Sequence, residues 1–180
     1  AIGPGYGVSA ATARDVITIA GQRRAMVLDA DGITSLEEQP EQLFDAAHSQ
    51  MVITPHEGEF SRIFPDIDIS NHEKAAEAAA KQAGAVILLK GPETMIAAPD
   101  GRVAINTHAN SWLATAGSGD VLAGMIAGIM AQGTGAFAAS CAAAWLHGDI
   151  AIRHGAGLTS ERMIGLMPEI LQNCLTEDDD

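Results

Sequence analysis

Apolar residues along this 180-residue chain recur in two distinct rhythms. Residues 25–28, 51–53 and 85–89 are short, unbroken apolar runs, the pattern of strands buried on both faces of a parallel sheet. Between and around them the spacing turns helical. Residues 10–20 predict a helix ended by Gly21, and residues 44–49 a helical turn. Residues 70–83 predict the clearest helix, with Ser70 as its cap, Glu73 completing a capping box, an Ala-rich interior and Gly84 as the stop. Strand, helix, strand at this spacing predicts parallel strands joined by crossover helices. Residues 94–98 and 102–105 flank Pro99-Asp100-Gly101, a hairpin signal that adds an antiparallel edge. Beyond Gly117 the pattern is helical throughout: residues 118–132, residues 136–154, and a segment after Ser160 that Pro168 breaks or restarts. The expectation is an α/β fold in one globular unit spanning the chain.

Composition sharpens this picture. Hydrophobic residues make up 47% of the chain but aromatics only 4%, which suits small-residue helices packed on a sheet and excludes a ring-filled β-sandwich. The formal charge of -13 repels phosphate backbones and anionic lipid at long range, so nucleic acid and membrane are not expected partners. Four of the negative charges, Glu177, Asp178, Asp179 and Asp180, form a terminal run expected to be solvated and frayed. Residues 121–148 lack Asp, Glu, Lys and Arg until the run ends, but Gln132-Gly133-Thr134-Gly135 interrupts them, so two buried helices are expected and not one membrane span. Cys141 and Cys174 lie in apolar surroundings without metal-ligand spacing and are expected to be buried free thiols. No secretory signal is visible, which makes a reducing cytoplasm the default location.

The segment most suggestive of chemistry is Ala114-Thr115-Ala116-Gly117-Ser118-Gly119-Asp120, a small-residue loop running directly into a helix. Gly117 and Gly119 allow close backbone approach, and the unsatisfied N–H groups of the first helical turn make an anion hole. Asp120 has two readings there: a carboxylate that caps the helix, or a base that takes the proton from a substrate hydroxyl while Gly117, Ser118 and Gly119 cradle a transferred phosphoryl group. Thr54-Pro55-His56-Glu57-Gly58-Glu59 and Lys90-Gly91-Pro92-Glu93-Thr94 each follow a buried strand, at the edge where open α/β sheets bind ligands. His56 is either a ligand contact or an ordinary loop residue. Asp29 and Asp31 end a strand together and could hold Mg²⁺ through water or simply cap a turn. Gly3-Pro4-Gly5-Tyr6-Gly7 is a turn-forming loop without dinucleotide-fingerprint spacing.

Taken in order, Gly3-Pro4-Gly5-Tyr6-Gly7, Leu28-Asp29-Ala30-Asp31-Gly32, Thr54-Pro55-His56-Glu57-Gly58-Glu59, Lys90-Gly91-Pro92-Glu93-Thr94 and Leu113-Ala114-Thr115-Ala116-Gly117-Ser118-Gly119-Asp120 resemble the successive signatures of the NAD(P)H-hydrate dehydratase family. The resemblance implies a ribokinase-like three-layer sandwich, with helices on both faces of the sheet and an N-terminal portion upstream of this chain. It implies dehydration of NADHX and NADPHX with ADP or ATP as co-substrate and Mg²⁺ as cofactor, and a homo-oligomer, a tetramer by family analogy. Gly5, Gly7, His56 and Asp120 would face the hydrated cofactor. Lys90, Gly91, Pro92, Glu93, Thr94, Gly117, Ser118 and Gly119 would face the nucleotide, and no residue is assigned to a metal. One segment departs from the family pattern: a Thr-Gly-x-Pro-type turn usually follows the Asn before Leu113, whereas here Asn106-Thr107 leads into His108-Ala109-Asn110-Ser111-Trp112. Two rivals remain, a small-molecule kinase of the same superfamily and a nonenzymatic nucleotide-binding fragment.

Overall fold

The computed structural model describes residues 1–176. Five strands form one sheet in chain order: β1 (Met26–Leu28), β2 (Met51–Ile53), β3 (Val86–Leu89), β4 (Thr94–Ala97) and β5 (Val103–Asn106). The first three pair in parallel, and β4 and β5 add an antiparallel hairpin at the edge. At the opposite edge Ile2 pairs with Leu28, laying the first residues alongside β1.

The apolar runs are unbroken because the sheet is buried on both sides. Along β3, Ile87 and Leu89 join a core built with α1 (Ala10–Ala20), α3 (Pro40–Ala46), α4 (Glu57–Ile63) and α5 (His72–Ala83). The alternate residues Val86 and Leu88 join a second core with α6 (Ser118–Ala131), α7 (Ala136–His154) and α8 (Ser160–Thr176). Both cores rely on alanine: α5 buries Ala75, Ala76, Ala79, Ala80 and Ala83, whose lack of bulk lets the helix lie close on the sheet. The chain between α6 and α7 turns at residues 132–135, and no helix among the described residues is long and apolar enough to cross a membrane.

Several elements differ from expectation. The Ala-rich helix begins at His72, capped by Asn71, because Asp68 draws Ser70 away through bonds to its amide and hydroxyl; no Ser70–Glu73 box forms. The helical turn expected at 44–49 lies earlier, at Pro40–Ala46, with Pro at its start. Two short helices were not anticipated, α2 (Asp31–Thr34) and α4. Helix α8 continues through Pro168. The carbonyl of Ile164, deprived of its N–H partner, sits on the exposed side of the helix where water can replace the lost bond. Cys141 and Cys174 are free but only partly buried, at the margin of the second core. The acidic run at 177–180 lies outside the described residues.

Beyond the carboxyl ends of β1 to β3 the chain is knitted laterally. The amide and hydroxyl of Thr54 both donate to Leu28 O, at 3.0 and 3.2 Å, and Lys90 N donates to Pro55 O at 2.8 Å. Just after β1, Ala30 adopts φ 47°, ψ -123°, a region that side-chain-bearing residues rarely enter. This bend separates Asp29, which faces the strand ends, from Asp31, which starts α2 and accepts the Gly7 amide at 2.8 Å. Ala30→Gly relieves that strain at the cost of a more flexible unfolded chain, so the variant is expected to be more stable by about 1 kcal/mol in urea unfolding; an unchanged or lower stability contradicts the strain.

Candidate active site

Charge at the strand ends is organised around one ion pair. Asp29, after β1, is 2% exposed at its side chain and meets Lys90 Nζ, after β3, at 2.7 Å. Beside this pair stands the start of α6. A Cβ placed on Gly119 would lie 3.5 Å from Lys90 Nζ and 4.0 Å from Asp29 Oδ2, so the helix N-terminus and the ammonium address the same space. Gly117 enters the helix at φ 79°, and a Cβ there would come within 3.0 Å of Ser160 Oγ, which restricts the position to glycine. Among the described residues, no partner is found for the N–H groups of Gly119 and Asp120, whereas Ser118 N donates to Thr115 O and Val121 N to Gly117 O. A free donor at Gly119 and an ammonium therefore share one space, with the second free donor, Asp120 N–H, next in the turn, as an anion site requires.

These groups border a cleft of about 840 Å³. His56, Lys90, Gly91, Pro92, Thr94, Ser118 and Gly119 line it together, while Glu93 and Gly117 flank it without lining it. Asp120, in the first turn of α6, follows the lining residue Gly119 but does not itself line the cleft; it is exposed and makes no hydrogen bond or ion pair among the described residues, so it does not cap its own helix. His56 caps α4: its Nδ1 accepts from Gly58 N and Glu59 N, and Glu59 returns a bond from the His56 amide. Its ring thus has a structural task at the rim of the cleft. Gly5 and Gly7 are exposed, in left-handed conformation, and line none of this cleft. Asp29 and Asp31 do not act as a pair, one bonding Lys90 and the other the Gly7 amide.

The far wall is the segment 106–113, the stretch that departs from the family pattern, and it is fastened along α7. Asn106 donates to Ala144 O at 3.0 Å and Asn110 to Ala151 O at 3.1 Å. His108 meets Asp149 at 3.0 Å and stacks on Trp145 with centroids 4.8 Å apart. A Cβ on Gly148 would fall 1.6 Å from His108 O, so this backbone contact exists only because position 148 is glycine. Sequence reasoning missed Asn106, Asn110 and His147 as lining residues. Asn110 carried a local signal, as it also caps the 3-10 turn Ser111–Leu113, but nothing local ties the others to a cleft built from distant segments.

A mostly parallel sheet between two helical layers, with a glycine-lined helix N-terminus and a strand-end lysine at its carboxyl edge, defines a ribokinase-like α/β protein. The comparisons agree on the class and narrow it. The NAD(P)H-hydrate dehydratase family model matches residues 1–174, and the chain belongs to that family. It is 41% identical over 150 residues to the bifunctional NAD(P)H-hydrate repair enzyme Nnr of Gloeobacter violaceus, covering 80% of this chain and 29% of that protein. It is 36% identical over 149 residues to the ADP-dependent (S)-NAD(P)H-hydrate dehydratase of Neisseria meningitidis serogroup B, covering 79% of this chain and 50% of that one. Among solved structures, the ADP/ATP-dependent NAD(P)H-hydrate dehydratase of Bacillus subtilis, co-crystallised with ATP/Mg²⁺ and soaked with CoA, superposes with a TM-score of 0.82 at 26% identity. That match covers 96% of this chain and 64% of that one. The chain thus spans between about a third and two thirds of the relatives' lengths.

His147 makes the cleft's stability pH-dependent. Burial pushes its pKa down to about 4, with the contact to Ser118 opposing, so the folded ring stays neutral while the unfolded ring protonates near 6.5. The unfolded state therefore takes up the proton first, and the stability present above pH 6.5 is lost as pH falls toward 4. Relative to His147→Gln, the parent chain should lose about 3 kcal/mol more over that window in urea titrations; parallel pH profiles would contradict a buried neutral imidazole.

Proposed function

We propose that this chain carries the nucleotide wall and the proton-accepting carboxylate of an ADP- or ATP-dependent NAD(P)H-hydrate dehydratase. The observation that carries the reading is the convergence of Lys90 Nζ, the free amide of Gly119 and residues 91, 92, 94 and 118 on one cleft, with the free amide of Asp120 next in the same helical turn. The names of the relatives supply the substrate class. In this reading Lys90 and the amides neutralise the terminal phosphate, and Gly91, Pro92, Glu93 and Thr94 border the rest of the nucleotide. Asp120, exposed and unpartnered, accepts the proton of the hydrated ring's hydroxyl as its oxygen takes the terminal phosphoryl group. The nucleotide leaves one phosphate shorter. The ring-nitrogen lone pair then expels phosphate with the C–O bonding electrons, and loss of a neighbouring ring proton restores the dihydronicotinamide. His56, Gly5 and Gly7 are assigned to the side that receives the hydrated cofactor.

The residues present fit Mg²⁺ only as an ion brought by the nucleotide. Among the described residues no cluster of three His, Cys, Asp or Glu could hold a metal, and Asp29 Oδ1 is committed to Lys90. Asp29 Oδ2, directed toward Gly119, is the carboxylate oxygen available to the hydration shell of such an ion. The ion supplies charge neutralisation of the phosphates when bound. Assembly into a homo-oligomer and a cytoplasmic location complete the proposal.

The decisive variant is Asp120→Asn. Because Asp120 neither caps α6 nor pairs with another residue, the amide should change melting temperature and nucleotide affinity little. Turnover of hydrated NADH with ADP or ATP, assayed in the protein of which this chain forms part, should fall roughly 10²- to 10⁴-fold. Unchanged turnover would remove Asp120 from the chemistry.

A further inference from the structure

Three consecutive residues of α7 touch both walls of the cleft. Gly148 and Asp149 hold the 106–113 segment, as described, and His147 reaches the other way. Its Nε2 lies 3.0 Å from Ser118 Oγ, the first residue of α6. Both residues are buried, at 5% and 6% exposure, and both line the cleft. The contact is unusual for its position. Ser118 follows an N-cap glycine that offers no side-chain bond, so the hydroxyl nearest the helix start is committed to α7 and not to its own helix. A buried imidazole held neutral at physiological pH costs stability on acidification, and packing alone would be served by an apolar side chain of similar size.

We infer that His147 is a positioning residue: through Ser118 it fixes the first turn of α6 so that the free amide of Gly119 stays at the cleft, with the free amide of Asp120 held beside it. Gly117 makes that turn intrinsically loose, because a glycine entry imposes little on the dihedrals that follow. Among the described residues, the Ser118 hydroxyl is the one side-chain anchor between the entry and the free donors. A neutral imidazole can donate to or accept from the hydroxyl, and either polarity fixes the same rotamer. Since α7 also fastens the 106–113 segment two residues away, the donors and the facing wall share one rigid mount. The inference rests on the nucleotide reading of the cleft only for its functional consequence.

The test separates the two. His147→Leu and Ser118→Ala each remove the contact, and His147→Gln keeps a nitrogen donor near the place of Nε2. Amide hydrogen exchange in the ligand-free chain should speed up at Ser118 and Val121, the bonded amides of this turn, in the first two variants, more than at the rest of α6 and α7, and stay near the parent rate in His147→Gln. Calorimetry with ADP should then show about tenfold weaker binding for His147→Leu and for Ser118→Ala, with the double variant no weaker than either single. Unchanged local exchange in both Ser118→Ala and His147→Leu, or exchange that rises uniformly across the chain, would overturn the positioning role. So would fully additive losses in the double variant. If the parent chain binds neither ADP nor ATP while the local exchange effect holds, the nucleotide reading fails and the mount stands.

Discussion

The half-buried ion pair between Asp29 and Lys90 is the constraint around which the strand ends are arranged. It joins the residues that follow β1 and β3 across the end of β2, at 2.7 Å, with the carboxylate almost wholly removed from water. A carboxylate so far removed from water is tolerated only when paired, and removing its partner leaves a buried charge uncompensated. The parallel register therefore does more than align apolar runs. It delivers an acid from one strand and an ammonium from another to the same point, and the strained turn at Ala30 then diverts the chain into α2. Lys90, still partly exposed, keeps donors available beside Gly119.

Around that pair the cleft is built from backbone as much as from side chains. The free amides of α6, the close passage of residue 108 over Gly148 and the carbonyls of α7 that receive Asn106 and Asn110 are all main-chain features. An acidic protein can hold an anion in this way, because local N–H dipoles and one ammonium act at contact distance while the net negative charge acts weakly through solvent. Gly5 and Gly7 stand apart from this cleft and are exposed, whereas His56 lines it.

Much of this was legible in the sequence, for identifiable reasons. Unbroken apolar runs located β1 to β3 to within a residue, since burial on both faces leaves no polar alternation to confuse the pattern. Helix α7 was predicted at its observed limits because glycines bound it on both sides. Failures came where a competing short-range bond won. Asp68 captured Ser70, so a plausible capping box gave way to Asn71; the observed box instead uses His56 and Glu59, a pairing outside the usual Ser/Thr pattern. Of the site, the loops that follow strands and the glycine-rich helix entry were readable. The Asp29–Lys90 pair and the Ser118–His147 contact join residues 61 and 29 positions apart, which no local pattern encodes. The family resemblance was carried by those same loops, and the family match over residues 1–174 bears it out.

The cleft between the Lys90 loop and the start of α6 is the proposed seat of the adenine nucleotide. Titrating the isotope-labelled chain with ADP and following backbone amide shifts tests it most directly. The largest changes are expected at Gly119 and Asp120, with smaller ones at residues 90–94 and 106–113. Changes centred instead on the hollow between α1 and residues 34–42, with Gly119 and Asp120 unmoved, would contradict it.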